Sequence, residues 1–196
     1  MRPQNNTREK IIDAAWQLFY DKGYEQTTVE DIIRASGTSK GSFYHYFESK
    51  DSLMGSLSYL FDRRYDELEE HLPAEGNRMD MLLYLNHELF EMIENTIDLE
   101  LLTRLYATQL MNTSGKELLD RSRSYYRLLR RITAEGQARG EITCDKSIAE
   151  IVNLYAMAER ALLYDWCLRG GAHSLVKYAD EVMPMFLNGL RIAQKF

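Results

Sequence analysis

Cysteine is nearly absent from this 196-residue chain: Cys144 and Cys167 are the whole complement. Two are too few for the disulfide framework of a secreted scaffold, so a reducing, cytoplasmic setting is expected. Only three prolines occur, at positions 3, 73 and 184, which leaves long stretches open to helix. No run of about 18 consecutive apolar residues exists, so no membrane span is expected. The polar stretch from Met1 to Lys10 lacks the apolar core of a signal peptide. Alternating β-branched runs bounded by turn residues, the mark of strands, are missing too. Positive charge is also in deficit: 24 Lys and Arg face 30 Asp and Glu, a formal charge of −6. That balance alone argues against a nucleic-acid partner, whose binding surface must be locally basic. What remains, 45% hydrophobic and 28% charged residues, fits a folded globular chain and excludes a disordered one.

Apolar residues recur at three- and four-residue spacings, as in Ile11, Ala15, Leu18 and Phe19, and the fold class expected is all-α. A first helix starts at Asn6 or Thr7, where Asn6 and Glu9 have capping-box spacing, and stops before Gly23. A second follows Thr27 or Thr28 and ends near Gly37; Ser39 caps a third that runs to Phe47. Ser49 caps a fourth, longer helix ending before Pro73. Further helices are expected from Asn77 to about Asn95, from Leu99 to Met111 and from Lys116 to Arg139. The last two run from Ser147 to Arg169 and from Ser174 almost to the C-terminus, with Pro184 inside. This makes nine helices, divided into residues 1–50 and a larger domain, 51–196, with the fourth helix (49–72) as the link.

The first three helices read as a helix-turn-helix, a pattern that many small helical domains share. Specificity comes from the third, TSKGSFYHYF. At 100° per residue Phe43 and Phe47 share one face and should pack against Ile11, Leu18, Val29 and Ile32. Lys40, Gly41, Tyr44 and His45 share the other. A cation, a bare stretch of backbone, a phenol and an imidazole suit phosphates and base edges in a major groove. Thr28 at the head of the second helix and Lys50 after the third extend that footprint. As ordinary surface residues they would be unremarkable singly; together on three neighbouring elements they are not.

Residues Thr7 to Leu53 resemble the DNA-binding domain of the TetR family of bacterial transcriptional repressors. The likeness is carried by Ala14, Leu18, Phe19, Gly23, Tyr24, Thr27, Thr28, Val29, Ile32, Ala35, Gly37, Ser39, Lys40, Gly41, Phe43, Tyr44, Tyr46, Phe47, Lys50 and Leu53. Ile33 and Thr38 depart mildly, standing where a small residue and Val are more usual. The resemblance implies a homodimeric repressor on a double-stranded, palindromic operator, released by a small-molecule effector. Thr28, Ser39, Lys40, Gly41, Ser42, Tyr44, His45, Tyr46 and Lys50 match the family's DNA-contact positions, with Lys40, Ser42 and His45 assigned to base edges. Two such helices in a dimer must lie about 34–36 Å apart, or a multiple of it, to meet successive major grooves.

The last two helices are apolar on more than one face. In the final one Leu175, Tyr178, Ala179, Val182, Phe186 and Leu190 form a stripe, flanked by Val176, Met183 and Leu187, while Ala156, Ala158 and Ala161 in the preceding helix permit close approach. One face can serve the core and the other a second copy, and the resemblance likewise implies dimerisation through these helices. The middle of the chain is rich in aromatic and Met side chains. Phe90, Tyr106, Met111, Tyr126, Tyr155 and Trp166 are the candidate lining of an effector site, with Asn86, His87, Gln109, Asn112 and Asn153 as polar anchors. An ordinary core has the same composition. Glu159 and Arg160 interrupt an apolar stretch, where they meet a charged ligand group or face solvent. The expected effector is apolar, aromatic or amphipathic.

Catalytic and metal readings find no residue set. There is no GxSxG or P-loop, His87-Glu88 has no second histidine four residues on, and the four histidines are scattered. No enzyme, cofactor or metal is expected. The alternatives to a repressor are an activator, or a protein of this fold that works through a protein partner. The net charge also divides unevenly: residues 1–50 carry seven Lys and Arg against seven Asp and Glu, so the whole −6 lies in the larger domain.

Overall fold

The computed structural model describes residues 6–111 and 116–192; Asn112 lies outside them. Nine α-helices occur among the described residues: α1 (Asn6–Lys22), α2 (Val29–Ser36), α3 (Lys40–Tyr46), α4 (Leu57–His71), α5 (Arg78–Thr96), α6 (Leu99–Met111), α7 (Ser124–Ala138), α8 (Ile148–Leu168) and α9 (Leu175–Leu187). Short 3-10 segments cover Asp51–Ser56, Glu117–Leu119 and Asn188–Leu190. The starts expected from capping residues are where Thr28, Ser39, Asn77, Ser147 and Ser174 accept from backbone N–H groups.

Three boundaries differ from expectation. The fourth helix does not begin at Ser49: residues 51–56 are 3-10, and α4 starts only at Leu57. Serine hydroxyls there bond to carbonyls three residues back, Ser52 to Ser49 (2.7 Å), Ser56 to Leu53 (2.5 Å) and Ser58 to Gly55 (2.8 Å), which favours the tighter winding. The Lys116–Arg139 helix is broken into a 3-10 turn and α7. Gln109 takes the Leu118 N–H, Asp120 takes the N–H and hydroxyl of Ser122, and Asp62 takes the Tyr125 N–H. Each capture removes a donor that a continuous helix would need. The last helix runs through Pro184 but ends at Leu187, after which an isolated antiparallel bridge joins Arg191 to Ile142.

The described chain forms two compact units, residues 6–59 with 100–111 and 116–118, and residues 60–99 with 119–192. In the first, α1 packs on α2 and α3 around Ile11, Ile12, Phe19, Ile32 and Phe43, and Trp16 donates to Ser56 Oγ at 2.9 Å. The division expected at residue 50 placed α6 in the larger domain. Its side chains instead belong to the first unit: Arg104 pairs with Glu25 and lies 4.7 Å from the Tyr24 ring centroid, and Gln109 pairs with Glu117, whose side chain packs on Gly55.

In the second unit α5 packs on α7 and α9, and α8 closes the ring by packing on both α7 and α9. The α9 core stripe is Leu175, Ala179, Met183 and Leu187, while Tyr178 and Phe186, expected in it, are exposed. With apolar residues on both faces, the pattern did not say which one turns inward. The chain just after Pro73 is held by buried Arg78, which pairs with Glu135 at 2.6 Å and donates to the Ala74 and Gly76 carbonyls. Among the described residues no helix is long and apolar enough to cross a membrane.

Gly136 on α7 lies tight against Ile142 and Arg78. A Cβ there would stand 2.5 Å from Ile142 Cδ1 and 3.1 Å from Arg78 Cβ, and Ile142 is fully buried. Gly136→Ala should therefore lower stability by about 1–3 kcal/mol through overpacking. Gly189→Ala, which meets nothing within 4 Å, should stay within about 0.5 kcal/mol of the parent. Urea unfolding of the two variants checks this.

Candidate nucleic-acid interface

The third helix is anchored from below and capped at its start. Phe43 is fully buried and Phe47 nearly so, their rings 5.9 Å apart. Ile11 and Ile32 are buried in the same unit, while Leu18 and Val29 are half-buried. Ser39 accepts the Ser42 N–H at 3.0 Å, and the two hydroxyls share a 2.9 Å hydrogen bond. Gly37 ends α2 in the left-handed region (φ 64°), and its N–H returns to the Arg34 and Ile33 carbonyls. This turn sets α3 against α2.

On the outer side Lys40, Gly41, Tyr44 and His45 are exposed, as the helical phase required. Lys40 reaches toward the Tyr44 ring (6.0 Å) and toward Glu30 (3.9 Å), both loose contacts that leave its ammonium in solvent. Gly41 adds no side chain, so a ligand backbone can come close to α3 there. His45 and half-buried Tyr46 meet edge to face at 4.7 Å. These groups form one continuous surface of donors, a cation and aromatic edges.

Thr28 and Lys50 are occupied otherwise. Thr28 and Asp31 form a reciprocal capping box: Thr28 Oγ1 accepts the Asp31 N–H (3.1 Å), and its own N–H and hydroxyl donate to Asp31 Oδ2 at 3.0 and 2.7 Å. Lys22 and these Thr28 donors hold the Asp31 carboxyl well below the usual carboxylate range. Lys50 donates to the Tyr24 and Thr27 carbonyls at 2.8 and 3.0 Å, with its ammonium 4.1 Å from the Tyr24 ring centroid. Two of its three N–H groups thus close the turn between α1 and α2. Tyr24 in turn donates to Asp51, and burial with this bond pushes its phenol well above the ordinary value. Arg34, whose side chain is 78% exposed near the end of α2, and Arg8, 5.6 Å over the Phe47 ring, add positive charge to this unit. Arg34 was legible as a basic residue in the last helical turn; Arg8 had no local signal.

The six candidate effector residues are divided between the two units. Tyr106 and Met111 are on α6 in the first unit, and Met111 is 84% exposed. Phe90, Tyr126, Tyr155 and Trp166 are buried in the second unit. Trp166 is tied to the α8–α9 turn by donating to the His173 carbonyl at 2.9 Å. Of the polar anchors, His87 meets Asp180, and Asn153 is exposed. Asn86 donates at 3.0 Å to Glu159, which is fully inside the unit and also accepts from the Tyr65 and Tyr125 hydroxyls. Arg160, next to it, donates to the Tyr126 hydroxyl. A separate cavity of about 430 Å³ lies beside Arg78, Arg131 and Arg139, but Arg78 and Arg131 already pair with Glu135 and Arg131 with Glu69.

A family model described as "Bacterial regulatory proteins, tetR family" matches residues 11–57. The chain is 26% identical over 191 residues to the HTH-type transcriptional regulator QacR of Staphylococcus aureus, covering 94% of this chain and 98% of that protein. It is 23% identical over 184 residues to the fatty acid metabolism regulator protein of Bacillus subtilis, covering 92% and 94%. In fold it is similar to Thermus thermophilus FadR, solved in complex with lauroyl-CoA, with a TM-score of 0.72, 20% identity and coverage of 96% and 97%.

The capping box makes a testable distinction at position 28. Thr28→Ala should cost about 1 kcal/mol of stability, while Thr28→Ser should keep most of it. Thermal unfolding of both, beside DNA affinity at a temperature where both are folded, separates a cap from a phosphate contact.

Proposed function

This chain belongs to the tetR family of bacterial regulatory proteins, and from that premise we propose a homodimeric, cytoplasmic repressor that an effector releases from a palindromic operator. The observation that carries the DNA-reading role is the outer face of α3, where Lys40, Gly41, Tyr44 and His45 stand exposed over a helix anchored by Phe43 and Phe47. In this reading Lys40, Ser42 and His45 address base edges, and Tyr44 and Tyr46 position phosphates. Thr28 and Lys50 act mainly by holding α2 and the preceding turn in place. Charge supports specific rather than bulk attraction: the 1–50 segment is neutral in total, so affinity rests on a few aimed contacts.

Dimerisation is supported by exposed apolar side chains on the last two helices. Met157, Ala161, Tyr164 and Leu168 fall at three- and four-residue steps along α8, all exposed, and Tyr178, Met185 and Phe186 are exposed on α9. Exposed large apolar side chains in such number suit a protein contact, and a second copy supplies the same face. The second unit is the seat proposed for the effector. Proteins of the same fold have been solved with stearoyl-CoA and lauroyl-CoA, which supports a small organic molecule as the class of signal.

Lys40→Ala is the direct test, on DNA enriched from a random pool by the protein itself. It should weaken binding about tenfold or more and reduce the slope of log affinity against log salt by about 1, with the fold unchanged by circular dichroism. Unchanged affinity and slope would remove α3 from the interface.

A further inference from the structure

At the turn from α8 to α9 the second unit has a concave surface that the DNA-reading role leaves unused. A cavity of about 540 Å³ there is lined by Arg169, His173, Ser174, Lys177, Tyr178 and Glu181. The His173 and Tyr178 rings meet edge to face at 5.0 Å in that lining. Most charges around it are committed. Arg169 pairs with Asp165 at 2.7 Å, and Asp180, next in sequence to Glu181, bonds His87 Nδ1 at 3.0 Å. Glu94 takes the Ser174 hydroxyl and the Val176 N–H. Lys177 and Glu181, both exposed, have no ion-pair partner among the described residues.

These two do not satisfy each other. They stand one turn apart on α9, and Lys four residues before Glu is the poorer order for pairing along a helix. Lys177 lies in the first turn, where the positive end of the helix dipole opposes a cation, so a carboxylate from outside is favourable there. Glu181 comes three residues after Tyr178 and four before Met185, on the same side of the helix, and both of those are exposed members of the proposed dimer face. Covering this face with two unpaired charges in it would be costly, so a partner seated there must answer both signs. A partner of one sign, such as a nucleic acid or an acidic peptide, attracts Lys177 and repels Glu181. A second copy answers both, because across a twofold axis Glu181 meets Lys177 wherever Lys177 meets Glu181. The two positions are about 6 Å apart along the helix, a spacing that an antiparallel copy of α9 crossing midway between them repeats in reverse.

Resting on the reading of the last two helices as a dimer face, we propose that Lys177 and Glu181 set its register and select its partner. Lys177 of each copy pairs with Glu181 of the partner subunit, twice across the axis. The exposed apolar side chains supply the area of the contact, and the paired charges supply its selectivity. A copy slid by one turn sets Glu181 against Glu181 or Lys177 against Lys177 and is refused, as is a similar chain with like charges at these places.

The test exchanges the charges in the full-length protein. Lys177→Glu and Glu181→Lys each put like charges at both ends of the contact, and the two changes in one chain restore opposite signs. By analytical ultracentrifugation each single variant should dissociate about tenfold or more readily than the parent, and the double variant should return to within about threefold of it. Mixed in equal amounts, one carrying a fusion that changes its mass, the single variants should form about nine-tenths mixed dimers, against the half that random pairing gives. Both positions are exposed, and circular dichroism checks that every variant is folded. Random pairing in the mixture, or a double variant as weak as the single ones, overturns the pairing. A dimeric parent indifferent to both substitutions also overturns it and leaves the dimer reading standing, with this cavity facing solvent or another molecule. A monomeric parent overturns both.

Discussion

A helix of seven residues does not hold together in water, because nucleation costs more than so few hydrogen bonds return. The whole first unit follows from that constraint on α3. Burying Phe43 and Phe47 stabilises it by about 1.5–3 kcal/mol for each ring, and Ser39 caps its start. The left-handed Gly37 aims it, and the Thr28–Asp31 box fixes the helix it leans on. Lys50 and Tyr24 lock the turn that precedes α2, and Arg104 reaches Tyr24 and Glu25 from α6. These contacts hold α3 so that Lys40, Gly41, Tyr44 and His45 stand together on its outward face.

Local signals were readable in the sequence and long-range ones were not. Thr28, Ser39, Asn77, Ser147 and Ser174 announced helix starts because a cap acts within three residues. The breaks at 51–56 and 117–123 were illegible, since they depend on Glu117 packing on Gly55 and on Gln109 and Asp62 taking distant N–H groups. Lys50 looked like a phosphate ligand for a similar reason. Its carbonyl partners lie 23 and 26 residues earlier, beyond any periodicity. On α9 both faces are apolar, so the pattern alone did not select the inward one. Glu159 stood out as an interruption in an apolar stretch, but its three partners are 34, 73 and 94 residues away. The sequence flagged the charge; only the packing of α4, α5, α7 and α8 revealed that it is enclosed by neutral donors.

The two units divide the electrostatic work. The DNA-binding segment is neutral overall and uses a few placed cations, whereas the −6 resides in the rest of the chain. An acidic body discourages non-specific adhesion to DNA, which makes occupancy depend on correct contacts. Within that body one carboxyl group, Glu159, is taken out of water and held by neutral donors.

The central claim, that two copies of α3 read successive major grooves, is tested most directly by dimethyl sulfate interference combined with hydroxyl-radical footprinting on a selected operator. The account predicts interference at guanine N7, a major-groove atom, in two patches whose centres lie about 10–10.5 base pairs apart or a multiple of that. A single patch, or protection without any N7 interference, would contradict it.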